Sequence, residues 1–291
     1  MTATATAMDG ATRRARPSSF SIAFRVLPRE RRRAIEAVYA FCRRADDAVD
    51  EAPDPLAART ALAQIARELD DVFRGPADRR LASSLAGAVS AFQLPREPFN
   101  LLLEGVGWDL EGRRYETRAD LREYCRRVAS SVGVLCVRIF GCAGPGCDRY
   151  AEELGIALQW TNILRDLGSD LGHGRVYLPA ESLRGHSLTP EDLLSRGAVP
   201  TERIDALVRS EAAYARSCFS AAEGSLPIAE RRRVLAGSIM GAVYQALLAK
   251  IEKAGARVLE RRISVSGPRR AWLALRCLLR DGLFAAAGAA R

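Results

Sequence analysis

The sequence predicts an all-α protein, and two observations carry this prediction. Between about residues 28 and 170 the chain is rich in Ala, Leu, Arg and Glu, and its apolar residues return every three or four positions. Clusters of Pro and Gly interrupt this pattern and leave segments of helix length between them. We therefore expect roughly eight to ten helices.

The predicted helix boundaries are these Pro and Gly clusters. They lie at residues 53–55, 75–76, 95–98, 141–146, 168–174, 190, 200, 227 and 267–268. None of these breaks is long or polar enough for a linker, and no repeat of fixed period is evident. We therefore expect one domain, residues 17–291, after a disordered tail of residues 1–16.

Composition says less about the class of function than about the class of fold. The 291 residues carry a formal net charge of +9, which suggests an anionic partner such as nucleic acid, a membrane surface or a phosphorylated small molecule, unless arginine is merely abundant on solvated faces.

The seven cysteines include no Cys-x-x-Cys pair, and even Cys142 and Cys147, which flank a Gly/Pro turn, are expected to be reduced. Because no apolar signal segment and no window of about 18 apolar residues occurs, we expect a cytoplasmic protein that does not span a membrane.

The first group of candidate site residues lies in YAFCRRADDAVDE. On a helix of about 100° per residue, one polar stripe contains Tyr39, Arg43, Asp46 and Asp50. Asp47 points to another side of the helix. Two carboxylates four residues apart repel each other, and a divalent cation relieves that repulsion. Mg²⁺ prefers a few carboxylates together with water and phosphate oxygens. The stripe therefore predicts a Mg²⁺-bridged diphosphate, the alternative being a solvated acidic face with a local arginine pair.

A second stripe with the same chemistry lies in LQWTNILRDLGSDLG. Gln159 shares one helical face with Asn162, Asp166 and Asp170. The last three supply oxygen ligands at i, i+4 and i+8, and Arg165 can reach a phosphate from the flank. The alternative is again a solvated face, but two matching stripes in one helical chain favour a metal site.

Small residues and one glycine modify this second stripe. Ala151 and Gly155 continue its face toward the N-terminus and would leave room for a hydrocarbon chain. Gly168 costs a helix about 1 kcal/mol relative to Ala, so we expect a frayed last turn and treat Asp170 as the weakest ligand.

At these residues the chain resembles the squalene and phytoene synthase family. The motifs occur in the family's order: SSFSIAFRVLP at 18–28, YAFCRRADDAVDE at 39–51, RRVASSVG at 126–133, LQWTNILRDLGSDLGHGRVYLP at 158–179 and GAVYQALLAKIE at 241–252. The likeness covers about residues 16–270. It implies an all-α isoprenoid synthase fold, in which two Asp-rich helices face each other across a central active-site cavity.

The resemblance also assigns roles residue by residue. The implied metal ligands are Asp46, Asp50, Asn162, Asp166 and Asp170. The implied catalytic residues are Tyr39, Arg43, Arg165 and Tyr244, with both arginines on diphosphate oxygens. The substrate-binding set adds Ser18, Ser19, Phe20, Ala129, Val132, Gly133 and Gln159, while Ala151 and Gly155 line the prenyl channels. Phe20, Phe24, Tyr39 and Tyr244 either offer ring faces to a carbocation or are plain core residues.

Two departures from the family pattern affect the grip on phosphate. Arg16 and Ser18 stand where some members have His and Lys, and Gly168 and Ser169 stand where an acidic residue often precedes the last Asp. Neither departure removes a core ligand.

Within the family, SSF, GRVYLP and RRISVSGPRRAWLALR are most similar to bacterial presqualene diphosphate synthases of hopanoid and squalene biosynthesis. This likeness implies the head-to-head condensation of two farnesyl diphosphates to presqualene diphosphate, with about two or three Mg²⁺ ions and without NADPH. Two alternatives share these motifs: a phytoene synthase acting on geranylgeranyl diphosphate and a squalene synthase that uses NADPH.

Other interpretations account for less of the sequence. A basic helical nucleic-acid binder fits the arginines at 29–33, 231–233 and 261–262 but leaves both acidic stripes unexplained, so no nucleic-acid partner is expected. His173 and His186 have no partners at zinc spacing. The segment RRAWLALRCLLRDGLFAAAGAAR, 269–291, is too charged to span a bilayer and either lies on an anionic membrane, at its inner face, or packs on the domain and frays.

Overall fold

The described part of the chain is helical and contains no β-strand, as predicted. The computed structural model describes residues 23–24, 26–74, 80–195 and 199–288, of which 80–83 and 281–288 are described in their backbone only. The predicted tail of residues 1–16 lies outside this part. The α-helices are α1 (Arg29–Asp50), α2 (Pro55–Arg74), α3 (Arg80–Phe92), α4 (Glu97–Leu110), α5 (Arg118–Cys125), α6 (Ser131–Phe140), α7 (Pro145–Gly172), α8 (Ala180–Arg184), α9 (Pro190–Leu194), α10 (Thr201–Ser225), α11 (Leu235–Ala254) and α12 (Gly267–Gly288).

Three short turns of other helical types complete the described backbone. A π-helical turn, Arg126–Ser130, joins α5 to α6, and two 3-10 turns span Ile228–Glu230 and Gly255–Leu259. The twelve α-helices of the described residues exceed the eight to ten expected. Two of them, α8 and α9, are only five residues long and lie where the sequence suggested a connection. The break before α5 was also missed, because a capping box of Thr117 and Asp120 marks it instead of a Pro or Gly cluster.

Prolines set several of the helix starts. α2, α7 and α9 begin at Pro55, Pro145 and Pro190, where the fixed φ of proline suits the first helical turn and its missing N–H is not needed. By contrast, the predicted break at 168–174 begins too early, because α7 continues unbroken to Gly172.

α7 is the central helix and packs against α6, α10, α11 and the π turn. Its Trp160 is fully buried and donates from Nε1 to Oε2 of Glu211 on α10, at 3.0 Å. Glu211 is itself buried and pairs with Arg118 of α5 at 2.8 Å, so the buried carboxylate is compensated. Trp160 and Asn162 are about 200° apart on the helix. Anchoring Trp160 on one side therefore turns Asn162 and the residues in its register to the opposite side.

Gly155 permits close contact between α7 and the π turn. A Cβ at this position would lie 2.6 Å from Cα of Ser130, and the Ser130 hydroxyl donates to the Glu152 carbonyl at 2.7 Å. The small residue thus serves helix packing, and the space for a hydrocarbon chain that the sequence suggested stays a prediction.

Cys142 and Cys147 form a disulfide across the turn between α6 and α7, so the expectation that they are reduced is wrong for this pair. The turn places their Cα atoms 6.0 Å apart, within the range that a disulfide spans. The left-handed Gly141 ends α6 and produces this approach, which sequence spacing alone does not reveal. The other five cysteines are free thiols.

Candidate active site

A cavity of about 1030 Å³, counted to its open mouth, lies between α1, α6, α7, α11 and the π turn. Most of its lining is apolar. It brings together many of the predicted residues: Phe24, Tyr39, Ala129, Val132, Gly133, Ala151, Gly155, Gln159, Asn162 and Tyr244. The sequence did not single out the others, which include Cys42, Cys136, Phe140, Tyr150, Leu154 and Met240. Ser18, Ser19 and Phe20 lie outside the described residues.

The cavity has a polar end and an apolar end. On α7 its lining runs from Tyr150 to Asn162, which is about 18 Å at 1.5 Å per residue, and Asp166 and Asp170 follow in the same register. On α1 the lining from Ile35 to Cys42 is likewise followed by the acidic pair of that helix. Both acidic pairs therefore lie beyond the same end of an apolar chamber.

Contacts between distant segments bring the two acidic pairs to one place. Asp50 of α1 accepts hydrogen bonds at 3.2 and 3.3 Å from Arg175, three residues beyond the end of α7. Asp109 of α4 interacts electrostatically with Asp46, Asp50 and Asp170. The two stripes thus face a common region, as the resemblance implied.

Two of the carboxyl groups are electrostatically unfavourable as anions in this arrangement. Burial, followed by the charge of Asp50, raises the pKa of Asp46 to about 7. Burial, followed by the charge of Asp166, raises the pKa of Asp170 to about 7. The pKa of Asp166 is lowered instead. Burial alone would raise it, but the hydrogen bonds and charges of Arg165 and Arg262 outweigh burial.

These residues fit a hard divalent cation. Oδ1 of Asn162 is buried without a hydrogen-bond partner, while Nδ2 of the same residue donates to Gln159 at 3.2 Å. This orphaned oxygen lies one helical turn before Asp166 on α7, and an amide oxygen together with a carboxylate is a ligand set that Mg²⁺ accepts. Among the described residues, however, no three carboxylates of the stripes come within 4.8 Å of one another. Each ion would therefore need phosphate oxygens or water to complete its shell.

The two predicted arginines are placed differently. Arg165 is largely buried and binds Asp166 through Nε at 2.9 Å and through a second, shorter contact. Its charge also acts on Tyr244, whose pKa burial raises and Arg165 opposes. Arg43 is 61% exposed and pairs with Asp47 at 3.2 Å. The Arg43 side chain thus pairs with its i+4 neighbour, and its charge also acts on Asp46. Its contact with a diphosphate stays a prediction.

Sequence reasoning missed three charged residues of this site. Arg262 donates to Asp166 at 2.8 Å, and Arg175 binds Asp50. Asp109 accepts from the hydroxyls of Tyr124 at 3.0 Å and Tyr177 at 2.8 Å, and burial raises its pKa to about 6. Arg175 stands in the GRVYLP motif and Arg262 in the RRISVSGPRRAWLALR motif, and these motifs could have flagged them. Asp109 belongs to no periodic stripe and to no quoted motif.

Asp170 is better supported than the sequence suggested, because it lies inside α7 and not in a frayed turn. The reason is Gly168, at which a Cβ would lie 2.3 Å from the carbonyl oxygen of Leu259. The glycine permits the 3-10 turn Gly255–Leu259 to pack directly on the helix, which offsets the propensity cost.

We expect the metal-free protein to lose stability as pH rises from about 4 through 7. Asp46 and Asp170 have folded-state pKa values of about 7, above the ordinary value of about 3.9 for unfolded chains. Across this window the folded state binds more protons than the unfolded one, so stability falls with pH and levels off above 7. Thermal unfolding at pH 5.5 and pH 8 in EDTA measures the slope, and Mg²⁺ with pyrophosphate should reduce it. The Asp46→Asn, Asp170→Asn double variant should flatten it, and an unchanged slope in that variant would contradict the assignment.

Comparisons with known proteins identify the family of the chain. A profile of the squalene/phytoene synthase family matches residues 13–269. The chain is 37% identical over 264 residues to a phytoene synthase of Mycobacterium tuberculosis, covering 89% of this chain and 86% of that protein. It is 38% identical over 236 residues to a presqualene diphosphate synthase of Rhodopseudomonas palustris, covering 79% and 82%. A crystal structure of a squalene synthase from Alicyclobacillus acidocaldarius matches with a TM-score of 0.72 at 31% identity, covering 82% of this chain and 88% of the other.

Proposed function

Since the chain belongs to the squalene/phytoene synthase family of prenyltransferase-type enzymes and has their all-α isoprenoid synthase fold, we propose that it condenses two farnesyl diphosphates to presqualene diphosphate. The observation that carries this proposal is the cavity, whose lining is largely apolar and beyond one end of which both acidic pairs follow on α1 and α7. Such a chamber suits a substrate with a long hydrocarbon and an anionic head. The likeness to the presqualene diphosphate synthase supports the choice of reaction.

The proposed ligands are Asp46, Asp50, Asn162, Asp166 and Asp170. Mg²⁺ bound there would supply the positive charge that stabilises a departing diphosphate. Arg165 pairs with Asp166, and we propose that it donates to the same phosphate oxygens when substrate is bound. On this proposal Asp46 and Asp170 would hold the metal as carboxylates, so each would release the proton that burial and the neighbouring carboxylate favour.

The remaining cavity residues surround the reacting carbon atoms of the two substrates. The C–O bond of one substrate breaks, the 2,3 double bond of the second attacks the allylic cation, and loss of one proton closes the cyclopropane. The apolar walls exclude water, and Phe24, Tyr39 and Tyr244 offer ring faces to the cation. Because burial raises the pKa of Tyr244, its hydroxyl keeps its proton, and the released diphosphate is the better proton acceptor.

The main alternative is a phytoene synthase acting on geranylgeranyl diphosphate. The likeness to the mycobacterial phytoene synthase covers 89% of this chain, more than the 79% covered by the presqualene diphosphate synthase match. The acidic end of the cavity does not separate the two substrates, since both carry the same diphosphate head group. A squalene synthase that uses NADPH is the second alternative; we propose that NADPH is not required.

Product analysis tests these proposals. Purified protein and Mg²⁺ are incubated with farnesyl or geranylgeranyl diphosphate, each with and without NADPH, and the products are identified by mass spectrometry. Presqualene diphosphate from the shorter substrate, unchanged by NADPH, is the expected result. Phytoene or squalene would replace the proposed reaction with one of its alternatives, and no product from either substrate would overturn the enzymatic proposal. We propose that the reaction takes place in the cytoplasm.

A further inference from the structure

The C-terminal helix α12 has two apolar faces, and within the described part of the chain one of them packs on other helices. Leu273, Ala274 and Cys277 are buried, and α12 contacts α11, where the sulfur of Cys277 lies 3.9 Å from the Ser238 carbonyl oxygen. This inner face accounts for the packing interpretation of the C-terminal segment.

The outer face of α12 exposes large apolar side chains. Trp272, Leu275 and Leu279 are 47%, 53% and 58% exposed. At 100° per residue they span only about 60° of the helix surface, so they form one continuous strip. Four of the seven exposed large apolar residues in the described part of the chain lie on this one helix, the fourth being Leu278. Scattered exposed leucines need no explanation, but a clustered strip does.

A row of arginines borders the strip on one side. Arg269, Arg276 and Arg280 lie within about 80° of Trp272 around the helix. The guanidinium groups of Arg269 and Arg276 lie 4.6 and 5.2 Å from the centre of the Trp272 ring. Residues 267–280 include no Asp or Glu, so the border is uniformly basic.

The arginine row continues into a second cavity of about 650 Å³. Arg231, from the segment before α11, joins Arg276 and Arg280 in lining it. Glu223 also lines it but accepts a hydrogen bond from Gln245 at 3.0 Å. Arginines from two separate elements therefore converge beside the strip, which concentrates positive charge at the level of the α12 border.

We propose that the outer face of α12 docks on an anionic membrane surface. Trp272, Leu275 and Leu279 enter the boundary between headgroups and acyl chains, and the arginine row binds lipid phosphates. The helix lies in the plane of the surface and does not cross it; none of the helices in the described residues is long and apolar enough to do so.

Charge argues against a second copy of the chain as the occupant. Two copies related by a twofold axis at this face would bring their arginine rows together, because an isologous contact pairs the same patch with itself. A strip three side chains long is also far smaller than the roughly 800 Å² per partner of a stable protein interface. An anionic lipid surface satisfies both the apolar strip and its basic border.

The experiment is co-sedimentation with phosphatidylcholine vesicles, with and without about 30 mol% phosphatidylglycerol. The wild-type chain should bind the anionic vesicles, and raised salt should weaken binding. The Leu275→Glu, Leu279→Glu variant should reduce partitioning at least about ten-fold. Matched controls are Leu56→Glu and Ile228→Glu, because Leu56 and Ile228 are 75% and 76% exposed elsewhere on the chain. These controls should stay within about two-fold of wild type.

A second variant keeps the proposal falsifiable if the glutamates disturb α12. Arg269→Gln with Arg276→Gln leaves the apolar strip intact and should weaken binding to anionic vesicles and flatten its salt dependence. Circular dichroism and light scattering accompany every variant. Wild-type binding that does not depend on the anionic lipid, or a strip variant that changes a dimer into a monomer while vesicle binding stays the same, would overturn the proposal.

Discussion

Replacing Asp46 with Asn is expected to lower the rate of product formation at least about 100-fold, because a buried group that positions positive charge at a developing anion contributes on this scale. Asp46 faces the acidic mouth of the cavity, where its charge interacts with Asp50 and Asp109. The amide keeps the shape of the side chain and removes its charge. The measurement is the reaction rate at saturating Mg²⁺ and prenyl diphosphate, with pyrophosphate release as the signal.

Asp47 provides a matched control, since it is the next residue on the same helix but pairs with the exposed Arg43. Asp47→Asn should change the rate less than about two-fold, in keeping with the small energy of surface ion pairs. Thermal unfolding distinguishes a loss of activity caused by misfolding from one caused by loss of the carboxylate. In metal-free protein at pH 8, Asp46→Asn should raise the melting temperature, because it removes a charge that burial disfavours. Equal losses for both variants, or a lowered melting temperature for Asp46→Asn, would contradict the assigned role.

Replacing Gly168 with Ala is expected to destabilise the protein by about 1–3 kcal/mol, the usual range for overpacking. The new Cβ would lie 2.3 Å from the oxygen and 2.7 Å from the carbon of the Leu259 carbonyl, so backbone has to move. Arg262 follows this turn by three residues and should shift away from Asp166. Chemical denaturation gives the change in free energy, and we expect the apparent affinity for Mg²⁺ and diphosphate to fall as well.

Gly107→Ala is the control for helix propensity. Gly107 lies inside α4, and a Cβ there meets nothing within 4 Å. That substitution should stabilise the protein by up to about 1 kcal/mol. If Gly168→Ala were as stable as Gly107→Ala, the 3-10 turn Gly255–Leu259 would not pack on α7 as closely as described.

The sequence by itself determined the helical class and the two acidic stripes. Asp46 and Asp50 are four residues apart on one helix, as are Asn162 and Asp166, so the period of the α-helix alone aligns each set. The cavity residues Tyr39 and Gln159 lie on these stripes, whereas Tyr244 followed from the family motif that contains it. These features are local, because each depends on neighbours within one or two helical turns.

Only the tertiary structure decided the partners of those carboxylates. Asp50 meets Arg175 and Asp166 meets Arg262 across 125 and 96 residues. Asp109 joins the site from α4, and Arg43 pairs with Asp47. These contacts depend on how helices pack, and charged side chains choose among partners that packing brings near. Helical periodicity does not determine which distant residues pack together. The sequence therefore predicted the stripes of candidate ligands but not the arginines that pair with them.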